Sequence, residues 1–263
     1  MEVVKARTYD VSMDAATTGA RVRPTAGAQR SERPARFASI VVEQLAHRII
    51  AGTLAEHDVL PTESELGQEF GFSRTVIREA LKMLEERGLV RVEQGRGTTV
   101  QPRDAWNLLD PLVIRVALTY DDDMSLLDSA ITVRRVLERD MARAAAARIT
   151  EEELGKLGAT IEEMAAAYDD YERFRLADLG FHEIIMKASG NDVGLTVVRT
   201  IHKHAGERPA VASMAPRAAL ERTVTEHRSI YAALEARDGD TAGERISAHI
   251  DFAWADRRRK EPA

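Results

Sequence analysis

The chain contains no cysteine. That excludes disulfides, thiolate metal sites and a cysteine nucleophile, and leaves histidine and carboxylates as the available metal ligands. It also has no run of about 18 apolar residues, the length a helix needs to cross a bilayer. The first 35 residues carry scattered arginine and acidic residues around no apolar centre. Neither a membrane span nor a secretory signal is expected, and the expected compartment is cytoplasmic. An excess of positive charge is missing too, since 37 Lys and Arg stand against 43 Asp and Glu, a formal net charge of −6. This argues against a generally basic coat but leaves room for a local basic patch that meets nucleic acid. What is present suits folding: 44% of residues are hydrophobic and 30% charged, and 263 residues exceed the usual length of one compact domain. Two domains of unequal size are therefore expected.

Residues 1–35 are rich in Ala, Thr, Arg, Gly and Pro without a sustained apolar period, and read as a flexible tail whose Arg21, Arg23, Arg30 and Arg33 can touch a polyanion. From Phe37 the pattern changes. Ile40, Val41, Leu45, Ile49 and Ile50 recur at helical spacing until Gly52. Thr62-Glu63-Ser64-Glu65 has the arrangement of a capping box and opens a short second helix that ends at Gly71. Ser73 caps a third, in which Ile77, Ala80, Leu81 and Leu84 form one stripe before Gly88. Leu89 to Glu93 and Thr98 to Val100 then alternate as strands around Gln94-Gly95-Arg96-Gly97, whose glycines tolerate positive φ. Three helices followed by a hairpin is the order of a winged helix-turn-helix, expected over residues 36–103. Residues 104–125 read as a linker with one short helix between Pro111 and Tyr120. Residues 126–258 read as helices throughout, with Thr150 and Glu153 as another capping box and no strand candidate, before a short tail at 259–263. The expected fold class is mainly α, an N-terminal winged helix-turn-helix followed by an all-helical antiparallel bundle.

Arg74, Thr75 and Arg78 fall in the first turn and a half of the third helix, off its apolar stripe, and face solvent together. In a helix-turn-helix this end of the second helix of the pair enters the major groove, where Arg pairs with guanine O6/N7. Arg96, between two glycines of the wing, can approach a phosphate or the minor groove. Residues 36–103 hold nine basic and ten acidic side chains, so any positive potential is confined to this edge. The competing reading is that these arginines only solvate a surface helix. The residues Leu60-Pro61-Thr62-Glu63-Ser64-Glu65-Leu66, Phe72 to Leu81, Gly88-Leu89-Val90 and Gly95-Arg96-Gly97-Thr98 resemble the N-terminal module of GntR-superfamily transcription regulators. The resemblance implies dimers that bind short palindromic operators. It aligns Ser64, Arg74, Thr75, Arg78 and Gly95 with DNA-contacting positions, so the candidate DNA set is Ser64, Ser73, Arg74, Thr75, Arg78, Gly95 and Arg96.

In the helical half, Asp178 and His182 stand i, i+4 on one helix face. His227 and His249 lie on the last two helices among apolar neighbours and can point into the core. If the four converge they suit a divalent Zn, Ni or Mn ion; if not, they are separate core or surface residues. Arg134-Arg135-Val136-Leu137-Glu138, Ala144-Ala145-Ala146, Asp178 with Phe181-His182, Ala188 to Asn191, Glu226-His227 and Ala248-His249 resemble the FCD ligand-sensing domain of the FadR branch. That resemblance implies a metal held by Asp178, His182, His227 and His249, with Arg134 bridging the carboxylate of a small effector. Trp106-Asn107-Leu108-Leu109-Asp110-Pro111 is similar to branch members responding to sugar acids such as galactonate or gluconate. His202 and His204 fall outside the ligand pattern, while Arg208 and Arg217 are further candidates for facing the anion. The expected function is a metabolite-responsive repressor, a homodimer on operator DNA with a metal-dependent carboxylate receptor and no enzymatic activity. The alternatives are a metal-dependent hydrolase or isomerase of small acids, and a sensor of the metal itself.

Overall fold

The first helix, α1 (Ala28–Ile50), buries Ala38, Val41, Val42, Leu45, Ala46 and Ile49 along one face. The computed structural model describes residues 28–205 and 216–258. Arg21, Arg23, Arg208 and the 259–263 tail lie outside these residues, as do the side chains of Arg30 and Arg33. Helix α1 starts within the stretch expected to be tail, at Ala28 and not near residue 36. Ile40, assigned above to its apolar stripe, is 41% exposed, because the buried arc runs through Ala38, Val42 and Ala46 instead.

Helix α2 (Glu63–Phe70) opens on the capping box, with Thr62 Oγ1 accepting from the Glu65 amide and Glu65 accepting from the Thr62 amide. It closes on Gly71 at φ 70°, a left-handed backbone suited to glycine. Helix α3 (Arg74–Glu86) is capped by Ser73 Oγ and buries Val76, Ile77, Ala80, Leu81 and Leu84 against α1. Strands β1 (Val90–Glu93) and β2 (Gly97–Val100) pair antiparallel, Val90 with Val100 and Glu93 with Gly97. The segment before α2 extends this wing: Val59 bridges Thr99, and the Leu60 amide donates to the Thr98 carbonyl at 2.8 Å.

Within the stretch read as a linker, the short helix expected between Pro111 and Tyr120 is present. A 3₁₀ turn at Arg103–Ala105 leads through Asp110, which caps the first turn with Pro111 at its start, into α4 (Pro111–Thr119). Val113 joins the core of the N-terminal module, and Ile114 and Leu118 join that of the bundle, so α4 is shared between them. The bundle comprises α5 (Ser125–Ala146), α6 (Glu151–Ala165), α7 (Tyr171–Ser189), α8 (Asp192–Ala205), α9 (Arg217–Glu235) and α10 (Gly239–Arg258). Helix α5 packs on α7, α8 and α10, and α6 on α7 and α9. Asp121, the first of three consecutive aspartates, is buried and accepts from the amides of Leu126 and Leu127 at 3.0 and 2.9 Å, capping α5. No helix among the described residues is long and apolar enough to cross a membrane.

Gly88 shows how tightly the linker folds back on α3. Its φ is 73°, and a Cβ there would stand 2.1 Å from the Ala105 carbonyl oxygen. Left-handed backbone alone costs a side-chain-bearing residue about 1–2 kcal/mol. Gly88→Ala is therefore expected to lower unfolding free energy by more than about 2 kcal/mol. Urea denaturation reads this, and wild-type stability in the variant would contradict the packing described.

Candidate nucleic-acid edge and histidine–carboxylate centre

On the N-terminal module, the start of α3 and the start of α2 lie side by side. Arg78 is 75% exposed and makes a two-pronged pair with Glu63, its Nε and Nη2 donating at 2.9 and 2.8 Å. Arg74 Nη2 donates to Ser64 Oγ at 3.1 Å. Thr75 is exposed beside them, and Ser73 is engaged as the helix cap. Gly95 and Gly97 hold the wing turn at φ 79° and 93°, and Arg96 at its tip is 83% exposed. The structure thus brings Ser64, Arg74 and Arg78 together on one solvent-facing edge. Glu63, absent from the expected set, is the carboxylate that engages Arg78.

In the bundle, Asp178 and His182 come from α7, His227 from α9 and His249 from α10, and one ligand atom from each lies within 4.8 Å of all the others. The convergence that sequence spacing left open is present. His182, His227 and His249 are buried, while Asp178 keeps partial exposure. His227 Nε2 is 3.2 Å from His249 Nε2 and 3.5 Å from Asp178 Oδ1. Phe181 explains the orientation of His227, since the two rings stack with centroids 4.1 Å apart.

Around this centre stand two carboxylates. Glu138, on α5 and fully buried, accepts on Oε2 from His182 Nδ1 at 2.6 Å. On Oε1 it accepts from Arg134 Nε at 2.5 Å and His202 Nε2 at 3.1 Å. Glu226 Oε2 faces His249 Nδ1 at 2.9 Å, and its other oxygen accepts from Arg222 at 2.8 Å. Arg134, expected to face an effector, also sends Nη2 to within 3.3 Å of His182 Nε2. Burial raises the Glu138 carboxyl, but the Arg134 guanidinium and the His182 imidazole outweigh it and hold that carboxyl well below its ordinary range. Burial opposes ionisation of Asp178 too, and the three imidazoles and Arg134 bring it below the usual carboxylate value. Burial lowers His227 and His249, which favours their neutral, ligating form.

His202, set aside in the sequence as outside the pattern, belongs to the centre's surroundings. Its pKa is lowered to about 4, chiefly by burial and by Arg134, and its ring meets that of His182 edge-on. No spacing on α8 relative to α5 announced this contact. His204 is buried as well. A cavity of about 390 Å³ between α7 and α8 is lined by His182, His202, Met186, Val198, Arg199 and Lys203 among others. A smaller one, about 60 Å³, touches Arg134, Asp178 and His249. Tyr171 and Arg175 line both. Arg217 lines neither; it is 60% exposed and pairs with Asp169 and Glu221.

A winged helix-turn-helix joined to a helical lobe with an inward-facing polar centre defines a DNA-binding transcription regulator. Residues 37–100 match the family of bacterial regulatory proteins named gntR, and residues 129–252 match the FCD domain. The chain is 33% identical over 224 residues to the galactonate operon transcriptional repressor of Escherichia coli K12, covering 84% of this chain and 96% of that protein. It is 26% identical to the HTH-type transcriptional repressor NanR of Klebsiella aerogenes, covering 82% of this chain and 83% of the relative. The solved structure of Lar, described as controlling expression of the Listeria monocytogenes agr system, superposes with a TM-score of 0.55 at 20% identity over 85% of this chain and 97% of its own, a likeness of fold. The chain belongs to the gntR family and carries an FCD domain. Its family are transcriptional regulators, so the hydrolase alternative falls away.

Removing the hub carboxylate should be costly. Glu138→Ala leaves Arg134 as an uncompensated, largely buried charge, and breaking such a pair typically costs about 3–5 kcal/mol. A loss of that order in denaturant unfolding is expected; a loss below about 1 kcal/mol would show that the network relaxes without it.

Proposed function

We propose that this protein is a metabolite-responsive repressor that binds a palindromic operator as a homodimer and holds a divalent metal and a small carboxylate in its helical lobe. The observation that carries the reading is the convergence of Asp178, His182, His227 and His249 within 4.8 Å. Two neutral imidazole nitrogens 3.2 Å apart share one proton at best, and His227 Nδ1 is buried with no hydrogen-bond partner. A cation facing those nitrogens and the Asp178 carboxylate suits this donor set, and imidazole with carboxylate fits Zn, Ni or Mn. The metal, when bound, supplies a Lewis-acid position for a carboxylate or hydroxyl oxygen. Arg134 stands beside the same cavity as Asp178 and His249 and offers a planar fork to the anion. The relative's galactonate operon supports a sugar acid as the effector class.

The proposed division of labour assigns residues 36–103 to DNA, 104–125 to the connection and 126–258 to the receptor, in a cytoplasmic regulator. Ser64, Ser73, Arg74, Thr75, Arg78, Gly95 and Arg96 form the DNA edge. An effector that releases the operator must bind the released conformer more tightly, and the coupling is reciprocal. Helix α4, rooted in both cores, is the element through which the lobes bias one another.

Two experiments test this. Fluorescence anisotropy with the DNA upstream of its own gene should show Arg74→Ala and Arg78→Ala each weakening binding about 5–150-fold, the range for a base-reading arginine. Binding unchanged in both would remove α3 as the reading helix. In thermal shift, the Zn²⁺-loaded protein should gain stability from a sugar acid, by about 2.7 kcal/mol at a hundredfold excess over Kd. Arg134→Lys, which keeps the charge but loses the fork, should abolish most of that gain. Operator affinity that follows Zn²⁺ with no response to any acid would make the ion itself the signal.

A further inference from the structure

The centre is held by an outer pair of carboxylates as well as by its own four side chains. Each of two histidines presents Nδ1 to a carboxylate: His182 to Glu138 at 2.6 Å and His249 to Glu226 at 2.9 Å. An ionised carboxylate only accepts, so each Nδ1 must carry the hydrogen. In a neutral imidazole this leaves Nε2 as a bare lone pair. For His249 that lone pair faces His227 Nε2; for His182 it faces the Arg134 guanidinium at 3.3 Å, a cation already standing against it.

We infer that Glu138 and Glu226 are positioning residues of the centre, which set the tautomers of His182 and His249 so that both rings aim an unprotonated Nε2 at a divalent cation. The inference rests on the metal reading above and deepens it. Glu138 has a further reach, because its second oxygen takes Arg134 and His202. The same carboxylate therefore orients a metal ligand, the anion-facing fork and the floor of the larger cavity between α7 and α8. Neither glutamate is among the four converging side chains; each acts through a ring.

Glutamine is the discriminating replacement. Its size is nearly that of glutamate, but its amide can turn an N–H toward Nδ1, which moves the ring hydrogen to Nε2 and blocks coordination. Glu226 is 22% exposed and pairs with surface Arg222, so Glu226→Gln is expected to fold even if Glu138→Gln does not.

The test titrates wild type and both variants with Zn²⁺ against a chromogenic chelator, alongside melting of the metal-free proteins and ¹⁵N histidine NMR. Wild type should bind one Zn²⁺ per chain, and each variant should bind it about 10–100-fold more weakly, as loss of an outer carboxylate does elsewhere. His249 in metal-free Glu226→Gln should carry its hydrogen on Nε2, where wild type carries it on Nδ1. Zn²⁺ affinity within twofold of wild type in Glu226→Gln, or an unchanged His249 tautomer, would overturn the inference while leaving the metal reading intact. Absence of Zn²⁺ binding by wild type would overturn both. A merely structural role would lower the melting temperature without moving the tautomer, and would count against the inference.

Discussion

A fully buried carboxylate has to be answered by donors in its own interior, because stripping its water costs far more than one hydrogen bond returns. Glu138 meets that constraint with Arg134 on its own helix, His182 from α7 and His202 from α8. The polar partners thereby fix how α5, α7 and α8 face one another. Apolar packing alone is forgiving about rotation of a helix by a few degrees; a set of short, charge-assisted bonds is much less so. Met141, Ile185, Met186 and Ile246 belong to the same buried apolar core, and burial lowers His227 and His249.

The outer edge of the molecule follows the opposite logic. Arg74, Arg78 and Arg96 stand in water, where their pairing with Ser64, Glu63 and Glu93 is worth little and exchanges readily. A near-neutral module is thus compatible with DNA binding, since what counts is the few donors that a groove or phosphate can capture.

Between these two regions lies α4, whose turns alternate allegiance: Val113 to one core, Ile114 and Leu118 to the other. Arg115 pairs with Glu43 of α1, and Tyr120 bonds His47 at 3.1 Å. These contacts tie α4 to α1 as well as to the bundle core. Coupling between two sites needs contacts that differ between two states, and an element rooted in both cores is where such contacts can arise.

Local chemistry was legible in the amino-acid order. The capping boxes at Thr62 and Thr150, the Ser73 cap, the glycine end of α2 and the two-glycine wing depend on neighbours a few residues away, and they stand where the pattern put them. Asp178 and His182 shared a helix face for the same reason. The exposure of Ile40 and the third segment of the wing at Val59 depended on partners distant in the chain. So did the meeting of α7, α9 and α10 at four ligand atoms, the enclosure of Glu138 and the recruitment of His202. Periodicity states which face of a helix is apolar. Which helix that face meets, and which polar side chains are sealed in with it, is decided only when the whole core is packed.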